Sequence, residues 1–335
     1  MDPISQGTVG AVFAQSAANK NNITKISIVG FLAGLAPDLD VLIRSSTDPV
    51  LFLEYHRQFT HSLVFIPFGA LFVASLIFPL VRKSLSFKTT YMASFLGYAT
   101  HGLLDACTSY GTLLFWPFSN ERITWNNISI VDPLLTIPAL ILLAVAVKTN
   151  RRRFSFLAVG WIVSYLALGF FQYERALSSG LKLAQSRGHS AERMTLKPSF
   201  GNLILWKSIY RHGDRFYVDA IRAGRVVTWC PGESIKIFDH QYHLSDLEKN
   251  SQQMKDIERF RWFSQDYLGF DGDKNIVTDV RYSMIPNQIA PMWGVVIDER
   301  RGINEHADWW ASRDLDDESL TLFKEMLLGD KCTAK

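Results

Sequence analysis

The stretch His56-Arg57-Gln58-Phe59-Thr60-His61-Ser62 places two imidazoles and a guanidinium directly before a long apolar run that begins at Leu63. Two further polar clusters interrupt neighbouring apolar segments, Pro37-Asp38-Leu39-Asp40 and His101-Gly102-Leu103-Leu104-Asp105. An aspartate at the centre of a membrane-spanning helix costs about 2.5–3.5 kcal/mol, so three such interruptions need a cause. We interpret the three clusters as parts of one metal site.

The chain changes character near residue 173. Before that point Leu, Ile, Val, Phe and Ala dominate, whereas the rest of the chain is mixed and charged. The sequence therefore predicts a mostly α fold, with a multi-pass transmembrane helical bundle over residues 1–173 and a small soluble α+β domain over residues 174–335. The clearest spanning segments are expected at residues 63–81, 91–107, 128–147 and 154–171.

Composition excludes several classes of protein. A formal net charge of +3 over 335 residues provides no basic face of the density that nucleic-acid binding requires. The three cysteines, Cys107, Cys230 and Cys332, follow neither a disulfide framework nor a zinc-knuckle spacing, so neither is predicted. The first residues lack the basic region of a cleavable signal, so membrane targeting is expected from the spanning segments themselves.

Basic residues set the expected orientation in the membrane. Arg82, Lys83 and Lys88 follow one apolar run, and Lys148 with residues 151–153 follows another. The positive-inside rule marks both turns as cytoplasmic. Alternating crossings from these turns place all three polar clusters and the C-terminal domain on the outer side. A common membrane face favours one shared site over scattered buried polar residues.

The residue types and spacings of the clusters suit a divalent metal ion. His101 and Asp105 are four residues apart, which places both side chains on one helical face. Asp38 and Asp40 can both serve as ligands where Pro37 keeps the backbone extended or turning. The predicted metal ligands are Asp38, Asp40, His61, His101 and Asp105. With almost no cysteine, this donor set suits zinc, or alternatively manganese, activating a water molecule.

His56 and Arg57, which precede the predicted ligand His61, are the candidate catalytic residues. A guanidinium binds phosphate or carboxylate oxygens in bidentate fashion, so Arg57 is predicted to orient an anionic group, and His56 is also a possible ligand. Structural alternatives exist for each cluster. Arg57 also suits a snorkelling interfacial cation, Asp132 before Pro133 suits a helix cap, and the predicted ligand pairs suit caps or hydrogen-bonded helix contacts.

Several ordered blocks resemble a known family. They are Met1-Asp2-Pro3, Gly34-Leu35-Ala36-Pro37-Asp38-Leu39-Asp40, residues 56–62, residues 101–105, Thr108 to Thr112, Trp116-Pro117-Phe118 and Val131-Asp132-Pro133. Together they resemble the bacterial inner-membrane metal-dependent hydrolase family of YdjM-like proteins, some of which are under LexA control. The resemblance covers the apolar half of the chain and implies a multi-pass inner-membrane protein with metal-dependent hydrolase activity. The outer side on which the basic residues place its site is then the periplasmic side. A more remote similarity, to the zinc-dependent phospholipase C and single-strand nuclease group, implies phosphodiester cleavage.

One departure from that family concerns a metal position. The family commonly carries a histidine in a Thr-His pair shortly after its opening Met-Asp, where this chain has Ser5-Gln6. Glutamine is a poor zinc ligand, so the resemblance implies that one metal position is lost or altered, or that Gln6 binds a harder ion through its oxygen.

The sequence thus predicts a membrane-bound metal-dependent hydrolase that uses a metal-activated water on an ester or phosphodiester-type substrate near the membrane surface. The expected partners are the lipid bilayer and a lipid or phosphate-containing substrate. The alternative is a catalytically inactive membrane scaffold or lipid-binding protein that uses the same polar cluster as a structural network. A transporter would carry polar groups at mid-depth from both sides, which the one-sided clustering argues against.

Overall fold

The computed structural model describes residues 1–18, 22–313, 316–330 and 332. The chain forms two compact units. The first comprises Met1–Leu42, Tyr55–Phe171 and Phe200–Asn202, and the second comprises Ile43–Glu54, Gln172–Ser199 and Leu203–Lys335. Because each unit takes segments from both sides of residue 173, the domain ranges 1–173 and 174–335 stay a prediction.

The first unit is built from helices. The helices are α1 (Pro3–Ser16), α2 (Ile23–Leu35), α3 (Phe52–Tyr55), α4 (Ile66–Val81), α5 (Phe87–Ala106), α6 (Pro133–Thr149) and α7 (Arg153–Ser186), of which α3 and α7 extend into the second unit. Helices α1, α5 and α6 begin at a polar side-chain cap. Short 3₁₀ segments cover Ala36–Leu42, Phe59–His61 and Leu63–Phe65. Asp132 caps α6 by accepting a hydrogen bond from Leu135 N, with Pro133 in the first turn, so the cap reading of Asp132 is confirmed.

Helices α1, α2 and α5 approach one another closely at their glycines. A Cβ atom added at Gly10 would lie 2.6 Å from the carbonyl oxygen of Gly30, and one added at Gly97 would also clash with that oxygen. Such spacing is possible only where a side chain is absent. The close contact brings the 3₁₀ segment after α2, which carries Asp38 and Asp40, next to the C-terminal half of α5.

The second unit contains two antiparallel sheets. One has the strands β1 (Arg193–Pro198), β2 (Leu205–His212), β3 (Arg215–Ala223) and β4 (Val227–Cys230) in that order, with β5 (Ser234–Lys236) also paired to β3. The other has β6 (Leu268–Asp271), β7 (Ile276–Asp279), β8 (Trp293–Val296) and β9 (Asp308–Ala311) in sequence order. The helices α8 (His240–His243), α9 (Gln252–Phe263) and α10 (Asp317–Leu328) complete this unit. Gly213, with φ of 60°, lies in the tight turn between β2 and β3.

A disulfide joins two elements of the second unit. Cys230, at the end of β4, is bonded to Cys332, which follows α10, and 102 residues separate them. Met326 of α10 packs against Leu205 and Ala220 of the first sheet next to this bond. Local cysteine spacing did not predict the pair, because the two residues meet only after α10 has folded onto the sheet.

The predicted mostly α fold, with a multi-pass transmembrane bundle and a small α+β domain, is wrong. In the described part of the chain, ten helices are accompanied by two antiparallel sheets, and two helices are long and apolar enough to cross a membrane, Leu63–Val81 and Arg153–Ser186. The apolar helices α2 and α6 have 13 and 17 residues, fewer than the roughly 20 that a bilayer requires. Helix α5 carries a buried histidine and aspartate. Apolar run length alone did not distinguish such packed helices from spans.

Candidate metal centre

Four of the predicted ligands, Asp38, His61, His101 and Asp105, converge in the first unit. One ligand atom from each lies within 4.8 Å of the other three. Asp38 Oδ1 is 3.5 Å from His61 Nε2 and 3.3 Å from His101 Nε2. Asp105 Oδ2 is 3.3 Å from His61 Nε2 and 3.8 Å from His101 Nε2, and the two Nε2 atoms are 2.9 Å apart.

These separations are close to those of a tetrahedral metal site. Donors about 2.0–2.2 Å from a central ion lie about 3.3–3.6 Å from one another. Three of the measured separations fall between 3.3 and 3.5 Å, with the two imidazole nitrogens nearer at 2.9 Å and one pair wider at 3.8 Å. A small adjustment of the two rings would therefore suffice to place a divalent ion among the four atoms.

Hydrogen bonds to the far ring nitrogens leave both Nε2 atoms directed at this point. His101 Nδ1 lies 2.6 Å from the carbonyl oxygen of Gly34, which only accepts, so this nitrogen carries the hydrogen. His61 Nδ1 lies 2.9 Å from Thr60 Oγ1, whose own proton is donated to Asp40 Oδ2 at 2.8 Å. His61 Nδ1 is therefore a donor as well. Metal-binding histidines are oriented in this way by their second nitrogen.

Asp40 stands behind the rings rather than among the four converging donors. Its Oδ2 accepts from Thr60 Oγ1 and from Arg57 N at 3.0 Å, and lies 3.2 Å from His61 Nδ1. Its Oδ1 is 2.7 Å from His56 Nδ1. One buried carboxylate thus orients both His56 and His61. Asp40, His56 and Asp38 also form a second group of possible ligands.

Arg57 directs its guanidinium at a ligand. Its Nε is 3.0 Å from Asp105 Oδ2, its Nη1 donates to Thr108 Oγ1 at 3.1 Å, and the group lies over the Tyr110 ring. Arg57 has φ of 66°, a left-handed conformation that is rare for a residue with a side chain. The fold therefore accepts backbone strain to place this buried cation beside Asp105. Contact of Arg57 with a substrate anion stays a prediction.

Gln6, where the resemblance implies a histidine, also contacts the centre. Its Nε2 donates to Asp105 Oδ1 at 2.9 Å, and the Met1 amino group forms an ion pair with the same oxygen. In the described residues, neither Gln6 Oε1 nor Asp105 Oδ2 accepts a hydrogen bond, although both are buried. Buried oxygens normally have a partner. Gln6 Oε1 is thus without a hydrogen bond, and Asp105 Oδ2 faces both imidazole Nε2 atoms with the Arg57 ion pair as its neutralising contact, an arrangement that fits a divalent ion.

The electrostatics of the centre agree with this fit. Burial alone would lower the pKa of His61, yet the three carboxylates around its ring raise the pKa to about 10. Burial likewise opposes ionisation of Asp38 and Asp40, but hydrogen bonds from histidines hold the pKa of each carboxyl well below its usual range. The centre therefore combines charged carboxylates with a ring nitrogen, His61 Nε2, that binds either a proton or a metal ion.

Access to the centre is one-sided. The side chains of His61, His101 and Asp105 are fully buried, whereas 25% of the Asp38 side chain is exposed. Metal sites that do chemistry keep one position open for water or substrate. Because the four converging donors already complete a tetrahedron, a water molecule or substrate would bind an ion here as a fifth ligand, from the exposed Asp38 side.

A further group of possible ligands, Asp48, Asp256 and His306, lies in the second unit. Asp48 and Asp256 both accept hydrogen bonds from Arg259, and Asp256 also accepts from Ala307 N. Because these carboxylates already neutralise a guanidinium, we interpret this group as an ion-pair network. Sequence reasoning missed it, since its members come from three distant segments.

The family model described as "YdjM inner membrane protein" matches residues 1–176. The chain belongs to this family. The YdjM match includes all four converging residues, and it confirms the predicted family and its association with an inner membrane. The more remote similarity to the phospholipase C and nuclease group is not supported by the comparisons.

A curated relative of this YdjM family member is "Uncharacterized protein YfhP" of Bacillus subtilis (strain 168). The two are 23% identical over 203 residues, which is 60% of each protein. The chain therefore spans about 60% of the length of the curated relative it matches. No solved structure matches the chain.

Proposed function

We propose that the chain is a membrane-bound metal-dependent hydrolase whose divalent ion, zinc or manganese, is held by Asp38, His61, His101 and Asp105. The near-tetrahedral spacing of four donor atoms, with both imidazoles oriented through Nδ1, supports this proposal most strongly. Asp40 is proposed to act through the two rings that it orients.

A bound divalent ion would supply a water molecule of lowered pKa and polarise the substrate oxygen. The protein residues bind and orient around it. Asp38 borders the open position, and Arg57 balances the charge of Asp105. His56, whose Nδ1 is turned to Asp40, presents Nε2 as a group that accepts or delivers a proton during hydrolysis.

The substrate is proposed to be an ester or phosphodiester at the membrane surface. The candidate span Leu63–Val81 begins two residues after His61, which supports a centre at the edge of the bilayer. A negatively charged oxygen of such a group would suit the ion on the Asp38 side. The alternative, a catalytically inactive scaffold with the same residues in a hydrogen-bond network, retains His61 in its protonated form.

We further propose that the centre and the residues after α7 face the outer, periplasmic side. Arg82 and Lys83 end the first candidate span and residues 151–153 precede the second, and basic residues favour the cytoplasmic side. The disulfide between Cys230 and Cys332 supports the same orientation, because disulfides persist in oxidising compartments.

Metal analysis tests the proposal. The protein is purified in detergent, and bound zinc and manganese are measured in the parent and in the variants His101→Ala and Asp105→Ala. We expect about one ion per chain in the parent and a loss of most of it in both variants. His306→Ala, from the ion-pair network of the second unit, is the matched control and should retain the metal.

Hydrolysis of p-nitrophenyl esters and of bis-p-nitrophenyl phosphate is then compared between the metal-loaded parent and His56→Ala. The proposal expects the parent to hydrolyse one of these substrate classes and the variant to be slower with its metal retained. A parent that binds no metal at all would instead establish the scaffold alternative.

A further inference from the structure

Exposed apolar side chains flank the metal centre. We call them the apolar rim: Leu39, Leu42, Leu63, Val64, Phe115 and Phe118. Leu39 lies between Asp38 and Asp40 in the sequence, and Leu63 follows His61 by two residues. Phe118 is 84% exposed and Leu42 76% exposed. A backbone hydrogen bond from Leu63 N to Leu114 O brings the segments of Leu63 and Phe115 together, and neighbouring large apolar groups are uncommon on a surface that faces water.

The loop that carries Phe115 and Phe118 is held firmly against the centre. Leu113 N donates to Arg57 O at 3.0 Å, and Leu63 N donates to Leu114 O at 2.9 Å. Leu113 and Leu114 are each only 1% exposed, whereas Phe115 and Phe118 project outward from the turn that follows. The two phenylalanines are therefore exposed although the backbone of their loop is fixed by hydrogen bonds and its leucines are buried.

The position of the rim identifies the kind of partner that covers it. Leu63 and Val64 are the first residues of the candidate span Leu63–Val81, so the rim continues the surface that this helix presents to lipid. The loop from Leu113 to Phe118 contains no charged side chain, and its Trp116 is of the type enriched at membrane interfaces.

We propose that the apolar rim inserts among the acyl chains of the adjoining leaflet, so that Asp38 and the open side of the metal centre lie at the depth of the lipid head groups. The partner is a membrane lipid. The rim contacts the acyl chains of the lipid, and the head group of the lipid reaches the metal centre. Phe118 has more apolar surface left to bury in lipid than Phe115, which is already half-buried. The insertion requires neither a bound metal nor hydrolysis.

A spin-label experiment tests the insertion. Phe118→Cys is labelled with a nitroxide in the full-length protein, reconstituted in vesicles of phosphatidylcholine and phosphatidylglycerol, and its collisions with oxygen and with a water-soluble nickel chelate are measured. Glu121→Cys, three residues further on and exposed in the same loop region, is the matched control. The unmodified parent gives the background, because Cys107 is buried and the other two cysteines form the disulfide.

We expect the label at residue 118 to collide mainly with oxygen and to be several-fold less accessible to the nickel chelate than the label at residue 121. Equal nickel accessibility at the two positions would overturn the inference. Phe115→Cys provides a second position if Phe118→Cys does not reconstitute. The proposed function is judged separately by metal content, so a metal-free parent with a shielded label would refute the hydrolase while retaining the rim.

Discussion

His61 shows how much a single side chain decides at this centre. Its Nδ1 is fixed by Thr60 and Asp40, and its Nε2 points at Asp38, His101 and Asp105. Since its pKa is raised to about 10, the metal-free ring is protonated at neutral pH. A metal ion must displace that proton to bind Nε2.

Metal affinity is consequently expected to depend on pH. The raised pKa of His61 means that proton competition persists up to about pH 10. Between pH 7 and 9, the dissociation constant for manganese should fall about tenfold per pH unit, with about one proton released per ion bound. Calorimetric titration in buffers of different ionisation enthalpy measures both quantities. An affinity that does not change over this interval would show that His61 is not displaced.

Gln6 offers a test of metal preference. Its buried amide lies beside Asp105 Oδ1, and its Oε1 is an oxygen donor without a hydrogen bond in the described residues. Gln6→His replaces this oxygen by an imidazole nitrogen, which zinc prefers. We expect at least about tenfold tighter zinc binding relative to manganese, measured by competition with a chromophoric chelator.

Gln15→His is the matched control for this change. Gln15 is fully buried in the same helix α1, but its partners are Ser27 and Ser155 rather than the centre. The control should lose stability without a change in metal preference. Tighter zinc binding in both variants would argue against a ligand role for position 6.

Residue chemistry was partly readable from the sequence. The spacing of His101 and Asp105 predicted two side chains on one face of a helix, and the structure brings both to one point with Asp38 and His61. The role of Asp40 as the partner of two rings was not predictable. It depends on the 3₁₀ turn after α2 and on a hydroxyl from Thr60, two features that meet only in the folded chain.

At the scale of elements, glycine contacts set the position of the ligands. A Cβ atom at Gly102 of α5 would come far closer than 3.0 Å to the carbonyl oxygen of His61. Gly102→Ala must therefore push the 3₁₀ turn that carries His61 away from α5, although it changes no ligand. We expect metal affinity to fall at least about tenfold, because ligand positions need to hold within about 0.5 Å.

Gly160→Ala serves as the control for this substitution. Gly160 lies in α7, and a Cβ atom there meets nothing within 4 Å. Metal titration and circular dichroism of both variants separate a local shift from a loss of helix. Unchanged affinity in a folded Gly102→Ala protein would contradict the proposed coupling between the helix contact and the centre.

Elements differed in how far their sequences determined them. Local signals bound strand β3, with the Gly213-Asp214 turn before it and Gly224 after it. The run 63–81 is likewise a candidate span. For α5, the apolar positions that resemble a membrane span instead bury small residues such as Ala93 and Gly97 among neighbouring helices. Hydropathy indicates that a segment avoids water, but it does not distinguish contact with lipid from contact with other parts of the protein.

At the scale of the whole molecule, the disulfide closes a long segment of the second unit. The bond links residues that are 102 apart. In the loop-entropy model it lowers the conformational entropy of the unfolded chain and so stabilises the folded state by about 4–5 kcal/mol. We expect the double variant Cys230→Ser, Cys332→Ser to unfold several degrees below the parent. Reductant should lower the melting temperature of the parent to the same extent and leave the variant unaffected.

The third cysteine provides the control for this prediction. Cys107 is buried and not bonded, so a Cys107→Ser protein should keep its sensitivity to reductant. If the parent, denatured without reductant, shows two free thiols in addition to that of Cys107, the disulfide is contradicted. No pattern of three scattered cysteines could have predicted this pairing, since it depends on how α10 packs against the first sheet.

The unequal exposure of the four ligands also governs how fast an ion is exchanged. The side chains of three of them are fully buried, and Asp38 is the ligand that solvent reaches. An ion that has entered can leave only as Asp38 swings aside, so dissociation should be slow and chelators should strip the protein over hours. The ion present in the cell while the chain folds would then remain for the protein's lifetime, and supply during biosynthesis, more than ligand preference, would determine which metal each molecule carries.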